Sequence, residues 1–165
     1  MFNGTARGAT LQQLSMDEMT TKATAIVRAR VLDHYATAKG QTVFTHYRLQ
    51  VEETLKGVSG TSEVQLPGGT AGNLRQTFSG VPTLTEGKDY LLFLWTGKGS
   101  TQLVGFSQGM FEVTEDSSGQ PMVSRAATSE MLLNQNGRPV QDQSVRVPLP
   151  QFTARVKSIL NKGSR

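Results

Sequence analysis

Residues 43–52, which read VFTHYRLQVE, alternate between two kinds of side chain, and this alternation decides the fold class. One side of the stretch is mostly apolar and consists of Val43, Thr45, Tyr47, Leu49 and Val51. The other side becomes polar at its second position, with His46, Arg48, Gln50 and Glu52. Because successive residues of a strand point to opposite faces, this period of two predicts a β-strand with one face on a core.

A second alternating stretch, AIVRARV, lies upstream at residues 25–31. Its odd-numbered positions are small and apolar, whereas Arg28 and Arg30 fall on the other side. A polar segment that contains Lys39 and Gly40 separates the two stretches. Two long alternating strands joined in this way predict an antiparallel hairpin with one buried face.

Further strand signals follow at residues 63–66, 102–106, 110–113 and 120–123. Residues 90–95, YLLFLW, are apolar at every position, which predicts a central strand buried on both faces. The chain contains about six to eight such strands, with a turn signal about every 10 residues, and this pattern is typical of small barrels and sandwiches.

Helix signals stand at the two ends of this region. Ser15 and Glu18 have the spacing of a capping box, which predicts a short helix over residues 15–23. After Pro150, apolar residues recur with a helical period at Phe152, Val156, Ile159 and Leu160. They predict an amphipathic helix over residues 150–162 that packs on the β-domain or binds a partner.

The combined pattern predicts a mainly β protein, a small antiparallel barrel of the OB (oligonucleotide/oligosaccharide-binding) type with a short N-terminal helix and a C-terminal amphipathic helix. We expect residues 1–13 to form a flexible arm and residues 14–126 to form the barrel domain. Residues 127–149 are rich in Gln, Asn and Ser, and they predict an extended polar connection to the C-terminal helix at 150–162.

Composition excludes several classes of function. The 165 residues contain no cysteine, which excludes disulfides, thiol catalysis and thiolate metal sites. The formal net charge is +4, but the basic residues are spread singly among 13 carboxylates, a pattern more typical of a solvated surface than of a dedicated polyanion site. The longest apolar run, residues 90–95, is far shorter than the roughly 20 residues of a membrane-spanning helix.

One motif suggests a catalytic nucleophile. Residues 105–109, GFSQG, match the G-x-S-x-G elbow of α/β-hydrolases, in which a helix follows the serine and the histidine comes later in the chain. Here His34 and His46 both precede Ser107, and residues 110–113 predict a strand. The two glycines therefore favour a tight bend between strands.

Phosphate and metal sites are equally disfavoured. The glycine-rich residues 67–73, PGGTAGN, lack the spacing of a phosphate-binding loop and predict a turn with positive φ angles. The two histidines stand 12 residues apart, unlike the close pair of a zinc helix. We expect no enzymatic activity, no cofactor and no metal.

The outer face of the first hairpin is the candidate ligand-binding surface. It carries a cationic strip with one phenylalanine, formed by Arg28, Arg30, Phe44, His46 and Arg48. Single-strand binders use such faces, stacking bases on aromatic rings and neutralising phosphates with cations. An ordinary solvated strand face has the same composition, and Glu52 and Asp33 border the strip.

Five segments resemble an uncharacterised family of exported bacterial proteins: LSMDEMTTKA (14–23), AIV (25–27), VEETLKG (51–57), LPGG (66–69) and EGKDYLLFL (86–94). In layout the chain is also similar to netrin-like modules and tissue inhibitors of metalloproteinases, which have an OB-type barrel. The resemblance implies a periplasmic or extracellular protein whose leader has been removed. The tissue inhibitors chelate the protease zinc through an N-terminal cysteine, and this chain has none, so no site residue is carried over.

These observations favour a non-catalytic exported binding or protein-interaction module whose partner is another protein or a cell-envelope component. A single-stranded nucleic-acid or anionic-polymer binder that uses the cationic strip is the first alternative. A protease-inhibitor-like module without zinc chelation is the second. The dependence of binding affinity on salt concentration distinguishes the first alternative from the others, because the affinity for an anionic polymer falls steeply as the salt concentration rises.

Overall fold

A computed structural model describes residues 10–57 and 62–163 of the chain. The helices are α1 (Met16–Lys22) and α2 (Leu149–Gly163), and a 3-10 turn spans Phe106–Gly109. The strands are β1 (Thr10–Gln12), β2 (Ala25–Lys39), β3 (Thr42–Lys56), β4 (Glu63–Pro67), β5 (Gly69–Ala71), β6 (Leu74–Gln76), β7 (Asp89–Gly97), β8 (Ser100–Leu103), β9 (Met110–Glu115), β10 (Pro121–Arg125), β11 (Met131–Leu133), β12 (Pro139–Val140) and β13 (Val145–Pro148).

Eight of the strands form one antiparallel sheet. Its order is β13-β10-β9-β7-β2-β3-β4, and β8 pairs with the second half of β7. The sheet curls until β8 approaches β4. Within the described residues no ladder joins its two end strands, so the barrel expected from the sequence is not closed. The mainly β, antiparallel class with a short N-terminal and a C-terminal helix is confirmed.

Apolar clusters lie on both faces of the curled sheet. The inner face, enclosed by the curl, holds Tyr47, Leu49, Val64 and Leu66 with the alternating residues of β2. The outer face is covered by the two helices. β7 contributes to both clusters, with Tyr90, Leu92 and Leu94 on the inner face and Leu91 and Phe93 on the outer face. The prediction of a central strand buried on both sides is therefore confirmed for residues 90–94, whereas Trp95 at its end is 44% exposed.

The first hairpin is formed by β2 and β3, as the alternation predicts. A bulge between Val31 and Asp33 leaves Leu32 without a partner across the ladder, and 53% of its surface is exposed. One extra residue reverses the faces of the strand beyond it. Val31 points into the inner cluster, whereas two positions later Asp33 lies opposite Arg48 on the outer face.

Beyond the bulge the hairpin extends past the centre of the sheet. The pairing of β2 with β7 ends at Arg30, and the strands continue to the turn at Gly40. We call residues 33–48 the distal hairpin. It pairs with β4 on the β3 side only.

α1 is capped as the sequence predicts. The Ser15 hydroxyl accepts a hydrogen bond from the Glu18 backbone N–H at 3.1 Å, and the Glu18 carboxylate accepts one from the Ser15 backbone N–H at 2.7 Å. Both orphan donors at the helix start are thereby satisfied. Met19 and Ala23 are buried against the outer face of the sheet.

α2 packs on the sheet and on α1. Phe152 and Val156 are buried, and the Phe152 ring lies 4.8 Å from that of Phe111 on β9. Of the two expectations for this helix, packing on the β-domain is the one observed. No helix in residues 10–57 and 62–163 is long and apolar enough to cross a membrane.

Two segments differ from the expected domain plan. Residues 1–9 of the predicted arm lie outside the described residues, but Thr10–Gln12 form β1, which pairs in parallel with β11. The predicted polar connection, 127–149, contains β11, β12 and β13. These strands have only 2 to 4 residues, too few for an alternating pattern to show.

Candidate functional site

The structure places the two arginines of β2 in ion pairs. Arg28 Nη1 lies 2.7 Å from a Glu52 oxygen, and its Nε lies 3.7 Å from Glu53. Arg30 Nε lies 2.9 Å from Asp89 on the neighbouring β7. Both cations are therefore neutralised by carboxylates.

The basic side chains of β3 also lie beside carboxylates. Arg48 Nε lies 2.8 Å from Asp33 across the hairpin, and His46 Nδ1 lies 2.9 Å from Glu63 on β4. Phe44, the phenylalanine of the strip, is half-buried and stands opposite Pro67. The predicted cationic strip is thus a charge-balanced ladder. The sequence places Glu52 and Asp33 beside the strip, but it does not show the partners Asp89 and Glu63, because these come from distant segments.

A compact polar network occupies the outer face of the distal hairpin. The rings of Tyr35 and His46 stack with centroids 4.6 Å apart and planes 5° apart, and the Arg48 guanidinium lies 5.1 Å from the Tyr35 centroid. The Tyr35 hydroxyl donates to Glu63 at 2.9 Å, which raises the pKa of Tyr35. Each side chain of the network is therefore held by at least one other.

One line through this network has the order of a nucleophilic triad. The Thr37 hydroxyl lies 2.7 Å from His46 Nε2, and His46 Nδ1 lies 2.9 Å from Glu63. A working triad also needs oxyanion donors and a cavity for the substrate. The cavity of this hairpin opens on the opposite face and is lined by neither Thr37 nor His46. The hydrogen bonds join β2, β3 and β4 on the outer face of the hairpin.

A cleft of about 510 Å³ lies on the inner face of the distal hairpin. Its floor includes Thr45 and Tyr47 of β3 with Ala36 of β2, and the exposed His34 of β2 lies at its rim. The bulge at Leu32 brings His34 and Ala36 to this face, because it reverses the strand. Opposite the floor lie residues 75–78 and 81–83. We call residues 69–83 the cover segment.

The backbone lies close to β3 where the chain enters the cover segment, at Gly68 and Gly69. The Gly68 N–H donates to the Val43 carbonyl at 2.8 Å. Gly69 has φ +121°, and a Cβ at this position would collide with the Thr45 hydroxyl. Only glycine combines this φ with such an approach. The turn expected for the glycine-rich residues is therefore present, and it also builds one wall of the cleft.

Side chains hold the rest of the cover segment. The Gln76 carboxamide accepts a hydrogen bond from the Val43 N–H and donates one to the Gln41 carbonyl, both at 2.6 Å. Further along, Leu84 is buried, and the Thr85 N–H donates to the Tyr90 hydroxyl at 2.9 Å. The segment is thus anchored at both ends of the cleft.

The cleft offers a cation, an aromatic ring and a polar rim. Arg75 is exposed and forms no ion pair with any residue in the described part of the chain. Phe78 is 40% exposed although it is a large apolar side chain. At the rim, His34 Nδ1 lies 2.7 Å from Glu86. No sequence motif joins Arg75 and Phe78 to the distal hairpin, so the site could not be predicted from the sequence.

Ser107 occupies a different environment. It lies in the 3-10 turn, and its hydroxyl oxygen is buried without a hydrogen-bond partner among the described residues. A strand follows it, as predicted, and both histidines lie on the distal hairpin. In residues 10–57 and 62–163 no three His, Asp or Glu side chains are grouped to hold a metal ion.

Comparison with known proteins leaves the family of the chain open, because no protein-family model and no curated protein matches it. The geometry of the site must therefore carry the functional argument.

Proposed function

We propose that the chain is a non-catalytic, exported binding module that recognises another protein through the cleft between the distal hairpin and the cover segment. The observation that carries this proposal is that one concave surface is lined by both Arg75, which has no ion-pair partner among the described residues, and the exposed ring of Phe78. Recognition sites in general combine concave shape with a few convergent polar groups. Arginine and aromatic residues are also enriched among the residues that dominate protein interfaces.

The chemistry of the cleft suggests the kind of segment it takes. Arg75 favours a carboxylate, because a guanidinium binds carboxylate oxygens through several N–H groups. Phe78 favours an apolar side chain. We therefore expect a peptide segment that carries an acidic residue close to an apolar one.

Polyanion binding is less well supported than protein binding. The ion pairs of Arg28, Arg30 and Arg48 leave the outer face of the hairpin without net positive charge. A phosphate would have to displace a carboxylate from each guanidinium. A single-stranded polymer gains its affinity chiefly from unpaired cations that release counterions.

Export rests on the family resemblance of the five sequence segments, and the lack of cysteine is compatible with it. Fractionation of cells that express the full-length gene tests it, together with the mass of the mature N-terminus. We expect a processed protein in the envelope or the medium. An unprocessed chain in the cytoplasm would contradict export and leave the cleft proposal to be judged by binding.

Selection from a phage-displayed random peptide library against the full chain tests the cleft. We expect the selected peptides to carry an acidic residue near an apolar one, and to lose at least about ten-fold in affinity on Arg75→Ala or Phe78→Ala. Arg138→Ala is the matched control for the arginine. Trp95→Ala is the control for the ring, since Trp95 is 44% exposed and lies outside the cleft.

Each outcome decides between the proposals. Peptides that bind the two cleft variants and the two controls equally well would overturn the cleft as the recognition site. A fluorescent oligo-dT, titrated at low and at moderate salt, tests the alternative. Tight binding that weakens with salt and with Arg28→Ala plus Arg48→Ala would favour the polymer binder.

A further inference from the structure

The distal part of β2 has a free edge. From Asp33 to Lys39 it pairs with β3 on one side, and no described strand pairs with it on the other. Nearly all of these residues are exposed, and Ala36 is half-buried. A regular edge of seven residues presents unpaired N–H and C=O groups, which proteins either protect or use for pairing with another chain.

The hairpin geometry defines which residues offer these groups. The Val43 N–H donates to Gln76, and the Val43 carbonyl accepts from the Gly68 N–H. Both backbone groups therefore point away from β2. Val43 and Ala38, which lie opposite each other, thus form a non-hydrogen-bonded pair. In an antiparallel ladder such pairs alternate with hydrogen-bonded ones. His34, Ala36 and Ala38 therefore direct their backbone groups to the free edge.

This edge is complementary to itself. When two copies pair antiparallel about a two-fold axis at Ala36, residue 34 of each copy lies opposite residue 38 of the other. The two copies of residue 36 lie opposite each other. All three edge residues then form hydrogen-bonded pairs, about six bonds in total. The same register places Asp33 directly opposite Lys39 of the second copy, twice per dimer. Lys39 forms no ion pair within the described residues.

The side chains along the edge also permit this approach. Ala36 and Ala38 are small, so the two inner faces meet without bulky groups at the axis. On the outer face Tyr35 lies beside Thr37 of the second copy. Opposite charges at facing positions of adjacent strands stabilise pairing, whereas like charges destabilise it.

We propose that the protein forms a symmetric dimer in which the Asp33–Lys39 edges of two copies pair antiparallel, with the two-fold axis at Ala36. The two inner faces lie on the same side of the joined sheet, so both clefts open in one direction. A seven-residue edge buries less surface than the roughly 1,200 Å² of a stable complex, so we expect a weak dimer that forms only at high protein concentration. This inference does not depend on what the cleft binds.

Cysteine cross-linking tests the register, and the chain is suited to it because it has no native cysteine. In Ala36→Cys the two α-carbons lie about 5.5 Å apart across the axis, within the range that a disulfide spans. In Ala38→Cys, on the same strand and face, they lie about 14 Å apart. We expect Ala36→Cys to form covalent dimer at least about ten times faster. Equal rates in the two variants would overturn the proposal.

Exchanging the charges at positions 33 and 39 tests the pairing itself. Analytical ultracentrifugation of the full chain measures the strength of association. Asp33→Lys and Lys39→Asp each place like charges opposite each other twice, so each weakens association by about ten-fold. The double variant restores both pairs and regains the dimer, although it still lacks the Asp33–Arg48 pair within each copy. Circular dichroism verifies that all variants are folded. Failure of the double variant to recover, or a wild type that stays monomeric at several hundred micromolar, would refute the dimer.

Discussion

The guanidinium of Arg125 lies 2.9 Å from the carboxylate of Asp142, and the two side chains are only 13% and 8% exposed. Arg125 also donates to the Gln108 carbonyl at 2.9 Å, and the second Asp142 oxygen accepts from the Thr128 N–H at 2.8 Å. This pair therefore ties the segment after β10 to the centre of the fold.

We expect Arg125→Ala and Asp142→Ala each to lower the free energy of unfolding by about 3–5 kcal/mol, because each leaves a buried charge without its partner. Urea denaturation followed by circular dichroism measures the change. Arg48→Gln is the control, since the exposed Arg48–Asp33 pair is worth at most about 1 kcal/mol. Equal losses of unfolding free energy at the two sites would show that the Arg125–Asp142 pair stabilises the fold no more than an exposed ion pair does.

The capping box predicts a dependence of stability on pH. Hydrogen bonds from the backbone N–H and then the hydroxyl of Ser15 lower the pKa of Glu18 below its usual 4.5. Because the pKa of Glu18 is lower in the folded state than in the unfolded state, the ionised carboxylate stabilises the fold. This stabilisation is complete above the unfolded-state pKa and is lost as the pH falls through the folded-state pKa. We expect Glu18→Gln to remove that part of the pH dependence below about pH 5. Denaturation at several pH values measures it, with Glu115→Gln, an exposed carboxylate at a strand end, as the control.

The parts of the fold that the sequence predicts are those in which a local pattern determines the structure. The alternation in 43–52 follows directly from strand geometry, and the Ser15–Glu18 spacing from helix capping. The bulge at Leu32 leaves no such pattern. Its position depends on how β2 meets β3 and β7, and those contacts exist only in the folded sheet.

The candidate site was harder to predict for the same reason. Arg30 and Asp89 stand 59 positions apart, so the neutralisation of Arg30 could be recognised only once the strand order was known. The glycines of 67–73 correctly indicate a turn. The hydrogen bonds from Gln76 that fold this turn over the hairpin have no sequence signature, and without them the cleft cannot be anticipated.

Substitution of Gly69 tests the close approach that builds the cleft. In Gly69→Ala the new Cβ meets the Thr45 hydroxyl while the backbone is held at φ +121°, so we expect a loss of more than about 2 kcal/mol. Gly72→Ala, in the same β5–β6 hairpin, has positive φ but open space around the Cβ, so it costs only about 1 kcal/mol. Urea denaturation compares the two. Equal losses of unfolding free energy in the two variants would mean that the positive φ angle alone explains both, without a contribution from the contact with Thr45.

The two hydrogen bonds of Gln76 are expected to keep the cover segment closed. Gln76→Leu has a similar volume but cannot accept from the Val43 N–H, so the hydrogen exchange of that amide rises by at least about ten-fold. Exchange in the β7–β9 ladder stays unchanged, because that ladder lies away from the cleft. A uniform increase across the sheet would instead indicate global destabilisation.

The outer-face network predicts an unusual tyrosine titration. The hydrogen bond from Tyr35 to Glu63 raises the pKa of Tyr35 above its ordinary 10.0, and burial raises the pKa of Tyr47. Replacing the carboxylate by an amide in Glu63→Gln removes the negative charge but keeps an oxygen acceptor. We therefore expect the pKa of Tyr35 to fall toward 10.0 while that of Tyr47 is unchanged. Ultraviolet difference titration of wild type and variant measures this, with Tyr35→Phe to assign the transition. An unchanged titration curve in Glu63→Gln would show that the carboxylate does not hold the Tyr35 hydroxyl in solution.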